Sequence, residues 1–159
     1  MGRVSDAINL LGKLNFRRFF NLSRVFASDY YSRYSGKIVH KGNPFTYSVE
    51  PTTSCNLRCP ECPSGLRQFT RPTGNMNLEL YQDLIDQTWK DLFYLILYFQ
   101  GEPYLNPLLF KMVEYAHQKR IYTATSTNAH FLTEDLARKT IECGLDRIII
   151  SLDGTNQET

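Results

Sequence analysis

Phe93-Tyr94-Leu95-Ile96-Leu97-Tyr98-Phe99-Gln100-Gly101-Glu102-Pro103 decides how the rest of the chain is read. Its first seven residues are apolar without a break. A helix with one wet face would interrupt such a run every third or fourth position, and a half-buried strand would alternate. An unbroken run predicts a strand buried on both faces, as in a parallel sheet, and Gln100-Gly101-Glu102-Pro103 closes it with turn residues. The pattern recurs downstream. Asn106-Pro107 predicts a helix start, with Asn as N-cap and Pro at the first helical position, and that helix runs to about Lys119. Ile121 to Ser126 reads as a third strand. Thr133 then caps a short helix with Glu134 and Asp135 in its first turn, and Gly144 follows as its C′ glycine. Arg147 to Leu152 is a fourth buried strand, followed by Asp153-Gly154. Upstream, Phe45, Tyr47 and Val49 alternate with polar residues as a first strand. Residues 77–89 form a helix with Leu78, Tyr81, Leu84, Ile85 and Thr88 on one face. Strands separated by single helices are a βα repeat, which demands a parallel sheet. The expected fold is therefore α/β, a partial (β/α) barrel of about four βα units. An open half-barrel would expose a long apolar edge after strand four, so the sequence reads as the front part of a longer protein.

Ligands of parallel sheets sit at the carboxyl ends of the strands, and every polar motif falls there. Cys55-Asn56-Leu57-Arg58-Cys59-Pro60-Glu61-Cys62 follows strand one, Gly101-Glu102 strand two, Thr127-Asn128 strand three, and Asp153-Gly154 strand four. The first motif places three thiols within eight residues, spaced C-x3-C-x2-C. Closed zinc sites want four ligands. Three suit a cubane iron–sulfur cluster in which one iron keeps an open position for a small molecule. A zinc reading needs a fourth ligand from elsewhere. Cys143 lies about 80 residues further on, and the histidines are not spaced as partners. Arg58, Pro60 and Glu61 make the loop too polar for three core thiols. Cys143 itself reads as a buried structural thiol, Tyr98 and Phe99 as core, and His117 as an exposed helix residue.

Composition separates two regions. Residues 1–44 carry eight Lys or Arg against Asp6 and Asp29, a net of +6. Residues 45–159 carry the other ten basic residues and fourteen acidic ones, a net of −4. Residues 4–34 read as one helix with Ile8, Leu11, Leu14, Phe19, Leu22, Val25 and Phe26 recurring at threes and fours, and Arg17, Arg18 and Arg24 among them. Such a basic amphipathic helix can pack on its own body or lie on an anionic membrane surface. Ser35-Gly36 to Gly42-Asn43-Pro44 reads as a linker, so the expected organisation is a basic helical extension with its linker over 1–44, then a core over 45–159. No compact block of Lys and Arg points to nucleic acid. No run of about 20 apolar residues spans a membrane, no signal peptide is evident, and thiols clustered as ligands suit a reducing compartment; the cytoplasm is the expected location.

The C-x3-C-x2-C loop after the first strand of a βα repeat resembles the radical S-adenosylmethionine (radical SAM) superfamily, over about residues 45 to 159. The resemblance implies a [4Fe–4S] cluster on Cys55, Cys59 and Cys62. Its open iron would chelate the amino and carboxylate groups of S-adenosylmethionine, whose reductive cleavage yields a 5′-deoxyadenosyl radical that abstracts hydrogen from a substrate. It implies a one-electron donor such as a flavodoxin or ferredoxin. Gln100-Gly101-Glu102-Pro103 resembles the family's Gly-Gly-Glu motif, so Gly101 and Glu102 would hold the methionine amino group, although Gln100 replaces the first glycine. Ser126, Asn128, Ser151 and Asp153 would line the rim near the cofactor. The family's aromatic residue before the third cysteine is here Glu61, which leaves the adenine contact to another part of the chain. Cys59-Pro60-Glu61-Cys62-Pro63-Ser64-Gly65 and Ser151-Leu152-Asp153-Gly154-Thr155 resemble the SPASM-type branch, which implies a peptide or protein substrate. The competing expectation is a non-catalytic metal-binding module, zinc or iron–sulfur, that serves interaction.

Overall fold

The computed structural model describes residues 2–152 and 154. Four strands, β1 (Thr46–Ser48), β2 (Tyr94–Ile96), β3 (Tyr122–Thr127) and β4 (Arg147–Ile150), form one sheet in chain order among the described residues. All three pairings are parallel, as the βα repeat requires. Tyr47 lies opposite Leu95, Leu95 opposite Thr123, and Thr125 opposite Ile148. The connecting helices form for local reasons. Helix α4 (Leu78–Thr88) is capped by Asn77, whose side chain accepts from Glu79 N, and it buries Tyr81 and Ile85. Helix α5 (Leu109–Gln118) buries Leu109, Met112, Val113 and Ala116, one stripe at helical spacing. Helix α6 (Glu134–Glu142) starts at Thr133, which accepts from Leu136 N. Leu95, Leu97, Ile121 and Cys143 complete a core between sheet and helices, and Tyr81 Oη donates to Met112 O at 2.8 Å, tying α4 to α5.

Several expectations are corrected. The second strand is not buried on both faces. Leu95 and Leu97 are fully buried under the helices, Tyr94 and Ile96 on the other face are half-buried, and Phe99 is 74% exposed. Nor is the fourth strand buried, because it pairs only with β3 among the described residues; Ile149 and Ile150 are 37% and 44% exposed. Asn106 does not cap a helix directly. It closes a 3-10 turn (Pro103–Leu105), and the helix begins only at Leu109 with Leu108 at its N-cap; Asn106, 2% exposed, donates to Pro51 O at 2.7 Å while accepting from Leu108 N at 2.9 Å. It thus joins the start of α5 to the chain leaving β1.

The N-terminal region is two helices, not one. Helix α1 (Gly2–Gly12) and helix α2 (Phe16–Ser35) are separated at Lys13-Leu14-Asn15, where the Asn15 side chain accepts from Arg18 N and restarts the helix. Residues 37–43 are no free linker. They run back along α2 and are strapped to it: Val39 N, Lys41 N and Asn43 N donate to the side chains of Ser32, Ser28 and Asn21 at 2.9, 3.1 and 2.7 Å. Both helices dock at the amino-terminal end of the sheet. Arg18, 1% exposed, donates to the carbonyls of Lys13, Trp89, Lys119 and Arg120. Trp89 ends α4, and Lys119 and Arg120 follow α5, so one cation meets the negative ends of two helix dipoles. Lys13 pairs with Asp146 at 2.9 Å, and Tyr122 Oη donates to Asp6. Burial first, and the Asp6 carboxylate second, push the Tyr122 phenol well above its ordinary range.

Candidate active site

Each strand exit supplies one part of the opposite rim, and side chains lock the parts together. Beyond β1, Thr52 is buried; its Oγ accepts from Ser54 N at 3.1 Å and donates to Gly74 O at 3.2 Å, setting the entry to the cysteine loop. Cys62 stands at the N-cap of a one-turn helix α3 (Pro63–Leu66), with Pro63 at its first position. Within α3, Gly65 lies so close to the loop that a Cβ there would be 2.5 Å from Cys59 N and 2.6 Å from Cys59 O. No larger residue fits without displacing the thiol-bearing backbone.

Beyond β2, Gly101 adopts φ 77°, and a Cβ would be 2.3 Å from Thr52 O. This turn is pinned to the cysteine loop by Glu102 N donating to Ser54 O at 2.7 Å and Gly101 N donating to Ser64 Oγ at 3.1 Å. Gln100, the departure from the Gly-Gly-Glu pattern, has a structural use. Its Oε1 accepts from Ser64 Oγ at 3.2 Å and from the Cys62 thiol at 3.5 Å. Beyond β3, the Glu102 carboxylate, 2% exposed, accepts from Thr127 Oγ at 2.7 Å, Asn128 N at 2.9 Å and Tyr104 N at 3.3 Å. Asn128 Nδ2 in turn donates to Asn56 Oδ1 of the cysteine loop at 2.9 Å. Three strand exits are therefore one hydrogen-bonded unit.

A cavity of about 270 Å³ opens on this unit. Cys55, Cys59, Gly101, Glu102, Ser126, Asn128 and Ser151 line it, joined by Leu57, Tyr98, Phe99 and Thr127. Seven of the nine expected site residues share one wall. Cys62 sits in the loop away from the cavity lining, held toward Gln100, and Asp153 lies outside the described residues. A smaller cavity of about 170 Å³ adjoins the other side of Cys55, with Ser64, Arg67, Phe69 and Thr73 among its walls. Cys55 and Cys62 are half-buried and Cys59 is exposed, all three as free thiols. Burial pushes the Cys55 thiol up, the Leu57 N–H opposes that, and Glu102 and the other two cysteines push it up further. Three thiolates here would repel one another, so the donor set calls for a multivalent cationic centre. Among the described residues no three His, Cys, Asp or Glu side chains are gathered tightly enough to hold a single metal ion. Three soft thiol donors on a backbone held from two sides fit an iron–sulfur group with an open position.

Sequence reasoning missed Thr127, Asn56 and Ser64 as rim ties, and it placed Tyr98 and Phe99 in the core. Both aromatics line the cavity instead, because the strand ends before them and the helices cover only the other face. Thr127 was legible as part of the Thr127-Asn128 strand end. The pairing of Ser64 with Gln100 has no sequence signal, since the two lie 36 residues apart.

Residues 49–159 match the family model described as the Radical SAM superfamily. The chain is 28% identical over 116 residues to an AdoMet-dependent heme synthase of Methanosarcina barkeri, covering 73% of this chain and 33% of that protein. It is 29% identical over 107 residues to a tungsten-containing aldehyde ferredoxin oxidoreductase cofactor-modifying protein of Pyrococcus furiosus, covering 66% of this chain and 30% of the relative. Mycofactocin maturase MftC of Mycobacterium tuberculosis is 28% identical over 115 residues, 72% of this chain and 29% of its own length. Among solved structures, BtrN in complex with AdoMet and 2-DOIA matches with a TM-score of 0.64 and 27% identity, covering 73% of this chain and 49% of that one. The chain thus spans about a third of the length of these curated relatives.

Proposed function

The chain belongs to the radical SAM superfamily, whose members use a [4Fe–4S] cluster and S-adenosylmethionine, and on that premise we propose that its carboxyl rim is the cofactor site of a radical SAM enzyme. Cys55, Cys59 and Cys62 would hold the cluster. Such a cluster would supply the single electron that reductive cleavage of S-adenosylmethionine needs, the source of the family's hydrogen-abstracting chemistry. The residues of this chain bind and orient. Gly101, which carries no Cβ, would let the methionine end approach the backbone. Glu102 has three of its roughly four acceptor positions engaged, so it can accept from an ammonium while clasping β2 to β3. Ser126 and Asn128 offer polar groups on the same wall, with Ser151 on the neighbouring strand exit, and Asp153 is proposed to extend that set. The observation that carries the reading is the convergence of the cysteine loop, Gly101-Glu102 and Asn128 on one cavity.

The further parts of the proposal follow from the resemblance. The electron donor is a flavodoxin or ferredoxin, and the substrate class is peptide or protein, supported by the likeness of the cysteine loop to the SPASM-type branch. We divide the chain into an arm and strap over 1–44 and a partial core over 45–159. We place it in the cytoplasm, within reach of the inner membrane surface and without a nucleic-acid partner. No helix of the described residues is long and apolar enough to cross a membrane.

Anaerobic reconstitution tests the proposal. About four iron and four sulfide per chain are expected, with loss of nearly all of both in Cys55→Ala, Cys59→Ala and Cys62→Ala, and with methionine and 5′-deoxyadenosine formed from S-adenosylmethionine under reduction. One zinc and no cluster would overturn it in favour of the interaction module.

A further inference from the structure

Helix α2 is inside out. The side it turns to the body is polar: Arg18, Asn21 and Ser28 are its buried residues. At about 100° per residue, the opposite side collects Phe16, Phe19, Phe20, Phe26, Tyr30 and Tyr34, between 49% and 86% exposed. Helix α1 repeats this with Val4, Ile8 and Leu11, spaced on one face and 64% to 68% exposed. The burial of the polar side is no accident of weak packing. Arg18 is spent on backbone carbonyls, and Asn21, Ser28 and Ser32 are spent on the strap. These bonds fix which way the helix faces. An aromatic face about 30 Å long is therefore held outward, where singly scattered apolar residues would need no explanation but a contiguous stripe does.

Charge selects the occupant. Arg24 borders the stripe on the flank of α2, and Lys37 and Lys41 follow in the strap. All three are exposed and in no salt bridge among the described residues. Of the region's two acidic residues, Asp29 is paired with Arg33 and Asp6 is bonded to Tyr122. Residues 1–44 keep a net charge of +6 against −4 for the remainder. We infer that the outward faces of α1 and α2 form a docking surface for an anionic lipid bilayer, lying in the headgroup region with aromatic rings inserted and the Arg and Lys side chains on lipid phosphates. A helical stripe without acidic residues suits a lipid surface better than a protein partner, whose own charges would ask for complements of both signs. The acidic body would be turned away from the bilayer.

Co-sedimentation of the 159-residue chain with vesicles tests this. Vesicles of phosphatidylcholine with about one third phosphatidylglycerol should pull the chain down at low salt, and phosphatidylcholine alone should not. The triple variant Arg24→Gln/Lys37→Gln/Lys41→Gln should weaken binding by about five-fold per charge removed. Phe19→Ala/Tyr30→Ala/Tyr34→Ala should weaken it by at least about ten-fold. Both variants change exposed residues only and should keep the wild-type circular dichroism and cluster content, which separates loss of docking from loss of fold. Chain left in the supernatant with anionic vesicles overturns the inference. So does equal binding to neutral ones, or a dimer in solution that the aromatic variant dissolves, which would make the face a site for a second copy.

Discussion

The two ends of the sheet are built on opposite plans. At the amino end, a buried guanidinium saturates the carbonyls left over by α4 and α5, and the strap satisfies its own amides on α2 side chains. Nearly every polar group near the join has a partner within the chain; among buried side-chain atoms of the described residues only Arg18 Nε lacks one. At the carboxyl end, hydrogen bonds hold the loops together but leave thiols, a carboxylate edge and two aromatic rings facing a cavity. One end uses its polar chemistry up; the other holds it in reserve. This is the division expected of parallel βα architectures, in which the amino face serves stability and the carboxyl face serves chemistry.

The sharpest way to break the comparison is at Arg18. Arg18→Met keeps the stem and removes the donors, leaving four carbonyls without their cation. A loss of about 3 kcal/mol is expected in urea denaturation, with cluster content of the surviving folded protein unchanged. Reduced iron loading in the folded fraction would show that the two ends are coupled. At the rim, Glu102→Gln replaces charge-assisted bonds with neutral ones and presents an NH2 to a backbone donor. A smaller loss of about 1–2 kcal/mol is expected, with amide exchange at Asn128 accelerated and exchange at Trp89 and Arg120 unchanged. The weakest lever is Asp91, which accepts from Arg17 at 2.7 and 3.0 Å and from Asn43 at 2.7 Å. The Arg17 guanidinium holds its carboxyl below the usual range, against the opposing effect of partial burial. A depressed folded pKa contributes stability that is complete above the unfolded value of about 3.9 and is lost as pH falls through the folded value. Arg17 is well exposed, so the contribution is small. Between wild type and Asp91→Asn, melting midpoints should differ slightly at neutral pH and converge in that acidic window; a difference that persisted below it would rule out the ion pair as the cause.

What the residues disclosed in advance follows from how far each interaction reaches. The βα repeat rests on patterns within one element, and the Thr133 cap and the parallel order appear as local chemistry demands. The cysteine spacing is also local, the strand-end rule brought Gly101 and Asn128 to it, and the family resemblance added Ser126 and Ser151. What failed was orientation. Apolar periodicity in α2 locates a stripe but not which way it faces, because the decision rests on Arg18 meeting carbonyls 71 to 102 residues away. The unbroken run at Phe93–Phe99 likewise signalled burial on two faces, yet the helices cover one, and Phe99 passes beyond the sheet into the cavity wall. Glu102 was read from its motif as a cofactor contact; its clasp on Thr127 depends on a residue 25 positions later.

Arg18 also imposes an order of events during synthesis. The arm leaves the ribosome before the body, but three of the four carbonyls that its principal anchor holds arrive only with Trp89, Lys119 and Arg120. At ordinary elongation rates that interval is about 5–20 s. Throughout it the aromatic side of α2 is on offer while Arg18 lacks its three distant carbonyls, so a neighbouring surface can engage the nascent arm before the half-barrel can. Protease accessibility of Arg18 in stalled nascent chains would read this directly, with protection arising only once Arg120 has emerged.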